Sequence, residues 1–178
     1  GKDPRLLELV LRESTAVLRA QRDVCVVEHR LGHVMANAGV DRSNVCAPGD
    51  SIETVLLLPE DPDRSACELR RRFEMAHGAP VGVVISDRFG RPWRLGTVGV
   101  AIGTAGPAAL MDRRGEHDLF GRILETTEIG FADGLAAAGV LAMGEGAEGA
   151  PVVVIRGLGW SDTAQSARDV VRAREKDM

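Results

Sequence analysis

The chain has 178 residues and a formal net charge of −4 at pH 7, with 44% hydrophobic and 27% charged residues. This is the balance of one globular domain. Aromatic residues make up 3% of the chain and tyrosine is absent, which excludes a nucleic-acid module that stacks bases on exposed rings. Apolar runs are shorter than the ~20 residues of a membrane helix. We therefore expect neither nucleic acid nor a membrane as a partner.

Three cysteines, Cys25, Cys46 and Cys67, are widely separated along the chain. Their spacing is typical of neither a zinc site nor a disulfide framework, and it predicts free thiols in a reducing, cytoplasmic compartment. The chain opens with Gly-Lys-Asp-Pro rather than Met and shows no signal-peptide pattern. We interpret this opening as an internal cut.

The first part of the chain predicts a helix followed by a hairpin. An apolar stripe with helical period runs from Pro4 to Ala20, and Asp3 before Pro4 is a favourable helix start. Val24 to Glu28 is short, β-branched and bounded by polar residues, which predicts a strand. His33 to Ala38 is expected to pair with it.

The central part alternates loops, a helix and strands. A polar loop from Gly39 to Pro48 leads into an apolar, extended segment from Ile52 to Leu58. A helix is predicted from Pro62 to His77, and Gly78 is its C-terminal stop. Val81 to Ser86 is a continuous apolar run typical of a buried strand. Thr97 to Ile102 is expected to pair with it.

The last part predicts two more strands and two more helices. Their expected bounds are Leu124 to Ile129 (strand), Ala132 to Met143 (helix), Val152 to Arg156 (strand) and Ser161 to Glu175 (helix). Strands and helices mix without strict alternation, which favours an α+β fold with a mixed or antiparallel sheet and flanking helices. We expect residues 1–178 to form a single domain.

The first candidate site element is the loop from Asn37 to Asn44. Asp41 is a hard oxygen ligand suited to Mg²⁺ or Mn²⁺. The Asn44 amide offers a donor and an acceptor to a sugar or base. The alternative is an Asx turn, in which such side chains cap their own backbone.

The second element is the segment from Ile85 to Arg94. An apolar strand is expected to deliver Asp87 at its C-terminal end, where sheets of the open α/β type place ligands. Arg88 and Arg91 follow, and guanidinium groups bind phosphate or carboxylate groups bidentately. The alternative is a surface turn with solvated arginines.

The third element is the glycine-rich segment from Met143 to Gly149. Glycines allow backbone N–H groups to approach phosphates. Glu145 and Glu148 are candidates to complete a metal site, and the alternative is that they only solvate a loop.

These elements belong to a collinear set of motifs that covers nearly the whole chain and resembles the coenzyme F-420-0:L-glutamate ligase family. The motifs are A-N-A-G-V-D-R-S-N at Ala36 to Asn44, L-L-P-E-D-P-D at Leu57 to Asp63, V-V-I-S-D-x-F-G-R-P-W-R at Val83 to Arg94, G-x-V-x-V-A-I-G at Gly96 to Gly103, D-L-F-G-R at Asp118 to Arg122, M-G-E at Met143 to Glu145 and P-V-V-V-I-R-G-L at Pro151 to Leu158.

The resemblance implies a dimeric α+β enzyme that uses GTP, Mg²⁺ or Mn²⁺, and a monovalent cation such as K⁺. It implies that the terminal carboxylate of F-420-0 is joined to the amino group of L-glutamate through an acyl phosphate. Two divalent ions would be held by Asp41, Asp87 and Glu145. Arg91 is expected to join Asp41 and Asp87 in catalysis by holding phosphate or glutamate. The nucleotide contacts would be Asn44, Met143, Gly144, Gly146, Ala147 and Gly149.

The chain departs from the family pattern in three places. Arg88 stands where the family usually has Thr, Gly134 stands where it often has Glu, and the family's N-terminal part is lacking. These departures leave two alternatives open. One is a diverged amide ligase with another acceptor, and the other is a non-catalytic homologue that serves as a binding or dimerisation module.

Overall fold

A computed structural model describes residues 2–45 and 54–177 of the chain. The described part contains α1 (Pro4–Arg12), α2 (Pro62–His77), α3 (Phe131–Met143) and the strands β1 (Ser14–Gln21), β2 (Val24–His29), β3 (Val34–Ala36), β4 (Val83–Arg91), β5 (Arg94–Ala105), β6 (Leu110–Asp112) and β7 (Glu128–Gly130). The strands form three antiparallel sheets, ordered β1-β2-β3, β4-β5 and β6-β7. The α+β prediction is confirmed, and none of the described helices is long and apolar enough to cross a membrane.

The first helix is shorter than predicted. Asp3 caps α1 and its side chain accepts a hydrogen bond from the Arg5 backbone N–H, but the helix ends at Arg12. The prediction of a helix as far as Ala20 is wrong, because residues 14–21 form β1 and pair with β2. The pairing gives this segment the backbone hydrogen bonds that a helix would otherwise supply.

The hairpin of β2 and β3 is confirmed, with Val27 opposite Met35. Val27 and Cys25 pack with Val10 of α1 into a small apolar core. Cys25 is a buried free thiol and Cys67 an exposed one. Cys46 lies outside the described residues.

α2 is confirmed at both ends. Asp61 accepts a hydrogen bond from the Arg64 backbone N–H at 3.0 Å, and Pro62 occupies the first turn. Gly78 ends the helix in the left-handed conformation at φ 64°, which glycine adopts without a steric penalty.

β4 and β5 form a long hairpin. The predicted pairing of their apolar segments is confirmed, but β4 continues to Arg91 instead of ending at Ser86. A bulge interrupts the register, since Ile85 lies opposite Gly103 whereas Ser86 lies opposite Ala101. α2 and α3 both pack against β5.

Most of the last segment lacks the predicted regular structure. α3 is confirmed within one residue, but the strand predicted from Leu124 is reduced to Glu128–Gly130. No strand forms at Val152 to Arg156, and the helix predicted from Ser161 to Glu175 is replaced by two short 3₁₀ turns, Ala167–Val170 and Arg174–Lys176.

The absent C-terminal helix has a tertiary cause. Thr163 bridges to Gly106, and the Gln165 side chain accepts a hydrogen bond from the Leu110 backbone N–H at 2.9 Å. These contacts tie the segment to the end of β5 and the start of β6. They satisfy backbone and side-chain hydrogen-bonding groups of this segment without a continuous helix.

The extended segment predicted from Ile52 to Leu58 is described only from residue 54 onward. Leu56 forms an isolated antiparallel bridge with Asp41, with backbone N···O distances of 3.0 and 2.8 Å. Ile52 lies outside the described residues. Both the N–H and the C=O of Asp41 are therefore hydrogen-bonded to Leu56.

Candidate functional site

Asp41 follows a tight turn at the end of β3. Asn37–Gly39 form one 3₁₀ turn, and Asn37, Ala38 and Gly39 all have positive φ. The Asn37 side chain accepts a hydrogen bond from the Cys25 backbone N–H at 2.9 Å, which ties the turn to β2. The turn and the Leu56 bridge together fix the path of the chain into Asp41.

The Asp41 carboxylate forms an Asx turn, because its Oδ1 accepts a hydrogen bond from the Ser43 backbone N–H at 2.8 Å. Burial raises the pKa of Asp41, but hydrogen bonds from Ser43 and Arg42 and the charge of Arg88 outweigh it and lower the pKa overall. The group is therefore ionised at neutral pH. The Asx turn and the ligand hypothesis are compatible, since ionisation is what a metal ligand requires.

Asp87 lies in the middle of β4, opposite Val100. The prediction that it ends the strand is wrong, because the polar residues after it pair with the first half of β5. Burial raises the pKa of Asp87, the negative charge of Asp41 raises it further, and Arg88 opposes both. The two carboxylates are therefore close enough for the charge of Asp41 to affect Asp87.

Glu145 lies beside the β4–β5 hairpin. Its Oε2 is 2.5 Å from Nη1 of Arg88. Its Oε1 accepts a hydrogen bond from the Thr97 hydroxyl at 3.2 Å. Within residues 2–45 and 54–177, no group of three or more His, Cys, Asp or Glu is close enough to hold a metal ion. Asp41 and Asp87 thus interact through their charges, whereas Glu145 is held by Arg88.

The first and third loops meet at Asn44. Its side-chain amide donates a hydrogen bond to the carbonyl of Gly146 at 3.2 Å. Gly144 has φ 74°, and the Gly146 N–H donates to the Glu148 carboxylate at 2.7 Å. Two predicted nucleotide-binding elements therefore lie side by side, although far apart in sequence.

Arg91 is separate from the carboxylate pair. It ends β4, and at about 3.3 Å per residue its Cα is about 13 Å along the strand from that of Asp87. Its guanidinium donates to the Leu95 carbonyl at 3.3 Å, and its buried Nε has no hydrogen-bond partner in the described structure. Its catalytic role stays a prediction.

Two further carboxylates, neither of them predicted from the sequence, form hydrogen bonds with the backbone of β5. Asp133 of α3 accepts a hydrogen bond from the Ala101 backbone N–H at the bulge in β5. Asp63 of α2 accepts from the backbone N–H groups of Thr104 and Ala167, each at 2.9 Å. Both lie in the first turn of a helix, which was the only local signal. They fix β5, and with it the register of Asp87.

The chain matches the family model described as F420-0:Gamma-glutamyl ligase over residues 1–157. The chain belongs to this family. Three relatives of the F420-0:gamma-glutamyl ligase family are each named coenzyme F420:L-glutamate ligase. The protein of Methanopyrus kandleri is 48% identical over 100% of this chain and 70% of its own length. Those of Methanocaldococcus jannaschii and Methanothermobacter thermautotrophicus are 43% and 47% identical over 100% of this chain and 69% of theirs. The family predicted from the motifs is confirmed.

Proposed function

We propose that the chain is a GTP- and divalent-metal-dependent ligase that joins the terminal carboxylate of coenzyme F-420-0 to the amino group of L-glutamate. The names of its relatives support the amide-forming activity and its two organic substrates. The observation that carries the proposal is the hydrogen bond from the Asn44 amide to the Gly146 carbonyl, which joins the loop of Asp41 to the glycine-rich loop. The interaction between the charges of Asp41 and Asp87 supports it.

The chemistry requires activation, because a carboxylate and an amine do not condense in water. In the proposed reaction a carboxylate oxygen of F-420-0 bonds to the γ-phosphorus of GTP, while the bond to the leaving oxygen breaks and GDP departs. The glutamate amine then bonds to the acyl carbon and loses a proton, and inorganic phosphate leaves. The chain must hold three substrates in line for these steps.

The metal requirement fits the chain in part. Asp41 and Asp87 offer hard oxygen ligands of the kind that Mg²⁺ and Mn²⁺ prefer. A divalent ion bound there would neutralise charge on the triphosphate. Glu145 is held by Arg88 and Thr97 instead. K⁺ is proposed without an assigned site.

The remaining roles are proposals for positioning. Asn44 and the loop from Met143 to Gly149 would contact the nucleotide through an amide and through backbone N–H groups. Arg91 would hold phosphate or glutamate at the far end of β4.

A non-catalytic homologue is the second candidate, and the Arg88–Glu145 ion pair favours it. An arginine adds positive charge but cannot ligate a metal ion. A diverged ligase with another acceptor is a third candidate.

One test separates the three candidates. Incubation with GTP, Mn²⁺, glutamate and F-420-0 should increase the mass of F-420-0 by one glutamyl unit. Absence of nucleotide binding by calorimetry would support the non-catalytic candidate, and turnover with only another acid would support the diverged ligase.

Asp87→Asn should reduce the rate of glutamate addition by roughly 100-fold, the scale on which removal of one charge-stabilising group slows catalysis. The amide keeps the size of the side chain but not its negative charge. Asp112→Asn is the matched control, because Asp112 lies on β6 and pairs with Arg114 on the surface. Equal rates for Asp87→Asn and the unchanged protein, measured by mass spectrometry, would refute the role of Asp87.

A further inference from the structure

Both carboxylate oxygens of Glu145 are engaged by the β4–β5 hairpin. The Arg88 guanidinium lies 2.5 Å from Oε2, and the Thr97 hydroxyl donates to Oε1 at 3.2 Å. A metal ion that took Glu145 as a ligand would have to approach this fixed positive charge, which repels it. Charge-assisted contacts of this length are the stronger kind of hydrogen bond.

The Arg88 charge also reaches the other two carboxylates. It acts favourably on both Asp41 and Asp87. Arg88 therefore contacts Glu145 directly, and its charge also acts on the other two carboxylates that the family resemblance assigns to metal. A positive group at such a position reduces the repulsion between carboxylates, which is otherwise the task of a bound cation.

We propose that the Arg88 guanidinium is a built-in cation that keeps Glu145 from ligating metal, so that this chain binds one divalent ion, at Asp41 and Asp87, rather than two. The inference rests on the proposed function for its metal site. It makes Arg88 a determinant of metal stoichiometry. The guanidinium stands in for the charge of the second ion but leaves no open coordination position.

The test is a Mn²⁺ titration of the protein without nucleotide or substrate, followed by the electron paramagnetic resonance signal of unbound Mn²⁺. The unchanged protein should bind one ion. Arg88→Thr should bind a second ion, with an affinity at least about tenfold above any weak second binding in the unchanged protein. Arg88→Lys keeps the charge and should still bind one ion.

Two control variants show whether the charge at position 88 determines the number of bound Mn²⁺ ions. Arg72→Thr removes the same charge from α2, where Arg72 pairs with Glu68 on the surface, and it should leave the stoichiometry at one. The double variant Arg88→Thr/Glu145→Ala should lose the second ion again, because alanine has no oxygen ligand to offer. If Arg88→Thr does not fold, as judged by circular dichroism, Arg88→Gln removes the charge with a side chain of intermediate length and provides the same comparison.

One bound ion in both Arg88→Thr and Arg88→Gln would overturn the inference, and so would two ions in the unchanged protein. A second ion that persisted in the double variant would also overturn it. The titration is separate from the ligation assay. Loss of the proposed function would appear as absent glutamate addition, whereas failure of this inference would appear as an unchanged ion count.

Discussion

His29 is fully buried at the end of β2. Its Nδ1 accepts a hydrogen bond from the Leu31 backbone N–H at 3.0 Å, so the neutral ring carries its proton on Nε2. Nε2 lies 3.4 Å from the Glu13 carboxylate, in a geometry that makes no hydrogen bond. Burial lowers the pKa of His29, the neighbouring Arg30 lowers it further, and Glu13 opposes both.

The stability of the protein should therefore fall as pH drops below 6.5, the ordinary pKa of histidine. Between the folded pKa and 6.5 the unfolded chain binds more protons, so acid favours unfolding. His33 is also buried with a lowered pKa and acts in the same range. Each residue contributes at most about 1.4 kcal/mol per pH unit. Urea unfolding from about pH 5 to about pH 8 measures the slope.

His29→Asn should flatten this slope, because its amide oxygen can accept the Leu31 hydrogen bond but does not titrate. His77→Asn, at the exposed end of α2, is the matched control and should keep the slope. A slope unchanged in His29→Asn would show that His29 is not a source of the acid sensitivity.

Local chemistry predicts an Asx turn at Asp41 as the alternative to a metal ligand, and the structure shows that turn. The structure also joins the loop of Asp41 and Asn44 to the glycine-rich segment, while the ligand and nucleotide roles of these residues stay predictions. The pairing of Arg88 with Glu145 was not predictable, because it depends on how a distant loop meets the hairpin. Asp87 was expected at a strand end because polar residues follow it, yet those polar residues continue the strand and pair with β5.

Two glycines let helices pack directly on β5. A Cβ atom on Gly99 would lie 2.3 Å from the Ala136 carbonyl oxygen of α3, and one on Gly103 would lie 2.4 Å from the Pro62 carbonyl oxygen of α2. These distances are too short for any side chain. Gly99 also lies opposite Arg88 in the sheet, so the contact with α3 supports the strand pair that carries the site.

Gly99→Ala should lower the free energy of unfolding by about 1–3 kcal/mol, because the backbone of α3 cannot yield easily. Gly134→Ala on the exposed side of α3 is the contrasting variant, since its Cβ meets nothing within 4 Å. It should raise the free energy of unfolding by about 0.5–1 kcal/mol through helix propensity. Urea denaturation measures both, and a Gly99→Ala protein of unchanged stability would contradict the close packing.

Elements with their own start and stop signals were predicted best. α2 begins at Asp61-Pro62 and ends at Gly78, and these residues act without help from the rest of the chain. β1 was mistaken for helix because its apolar residues also fit a helical stripe. Only the pairing with β2 decides between the two structures. The hydrophobic periodicity of a single segment does not show whether another segment pairs with it.

Several large apolar side chains are exposed in the described part of the chain. Trp93 and Leu95 at the hairpin tip, and Leu119 and Phe120 in the loop before β7, are each more than nine-tenths exposed. Exposed apolar side chains that form a contiguous patch are typical of interaction sites.

We propose that a second copy of the chain covers part of this surface, as the predicted homodimer requires. Light scattering after size-exclusion chromatography should then give twice the mass of one chain. Leu119→Asp together with Phe120→Asp should shift the mass toward that of one chain, because the charges would be buried at the interface. Replacement of the exposed Leu141 on α3 by Asp is the control. A single-chain mass for the unchanged protein would exclude the homodimer.

The turn of Asn37, Ala38 and Gly39 has a thermodynamic consequence for whatever binds next to it. Ala38 holds a left-handed φ of 52° yet is fully buried, a conformation that persists only where its surroundings enforce it. The loss of chain entropy that orders Asp41 is therefore borne when the protein folds. A ligand that arrives later meets a carboxylate already in place, so little of its binding free energy is spent on ordering this loop.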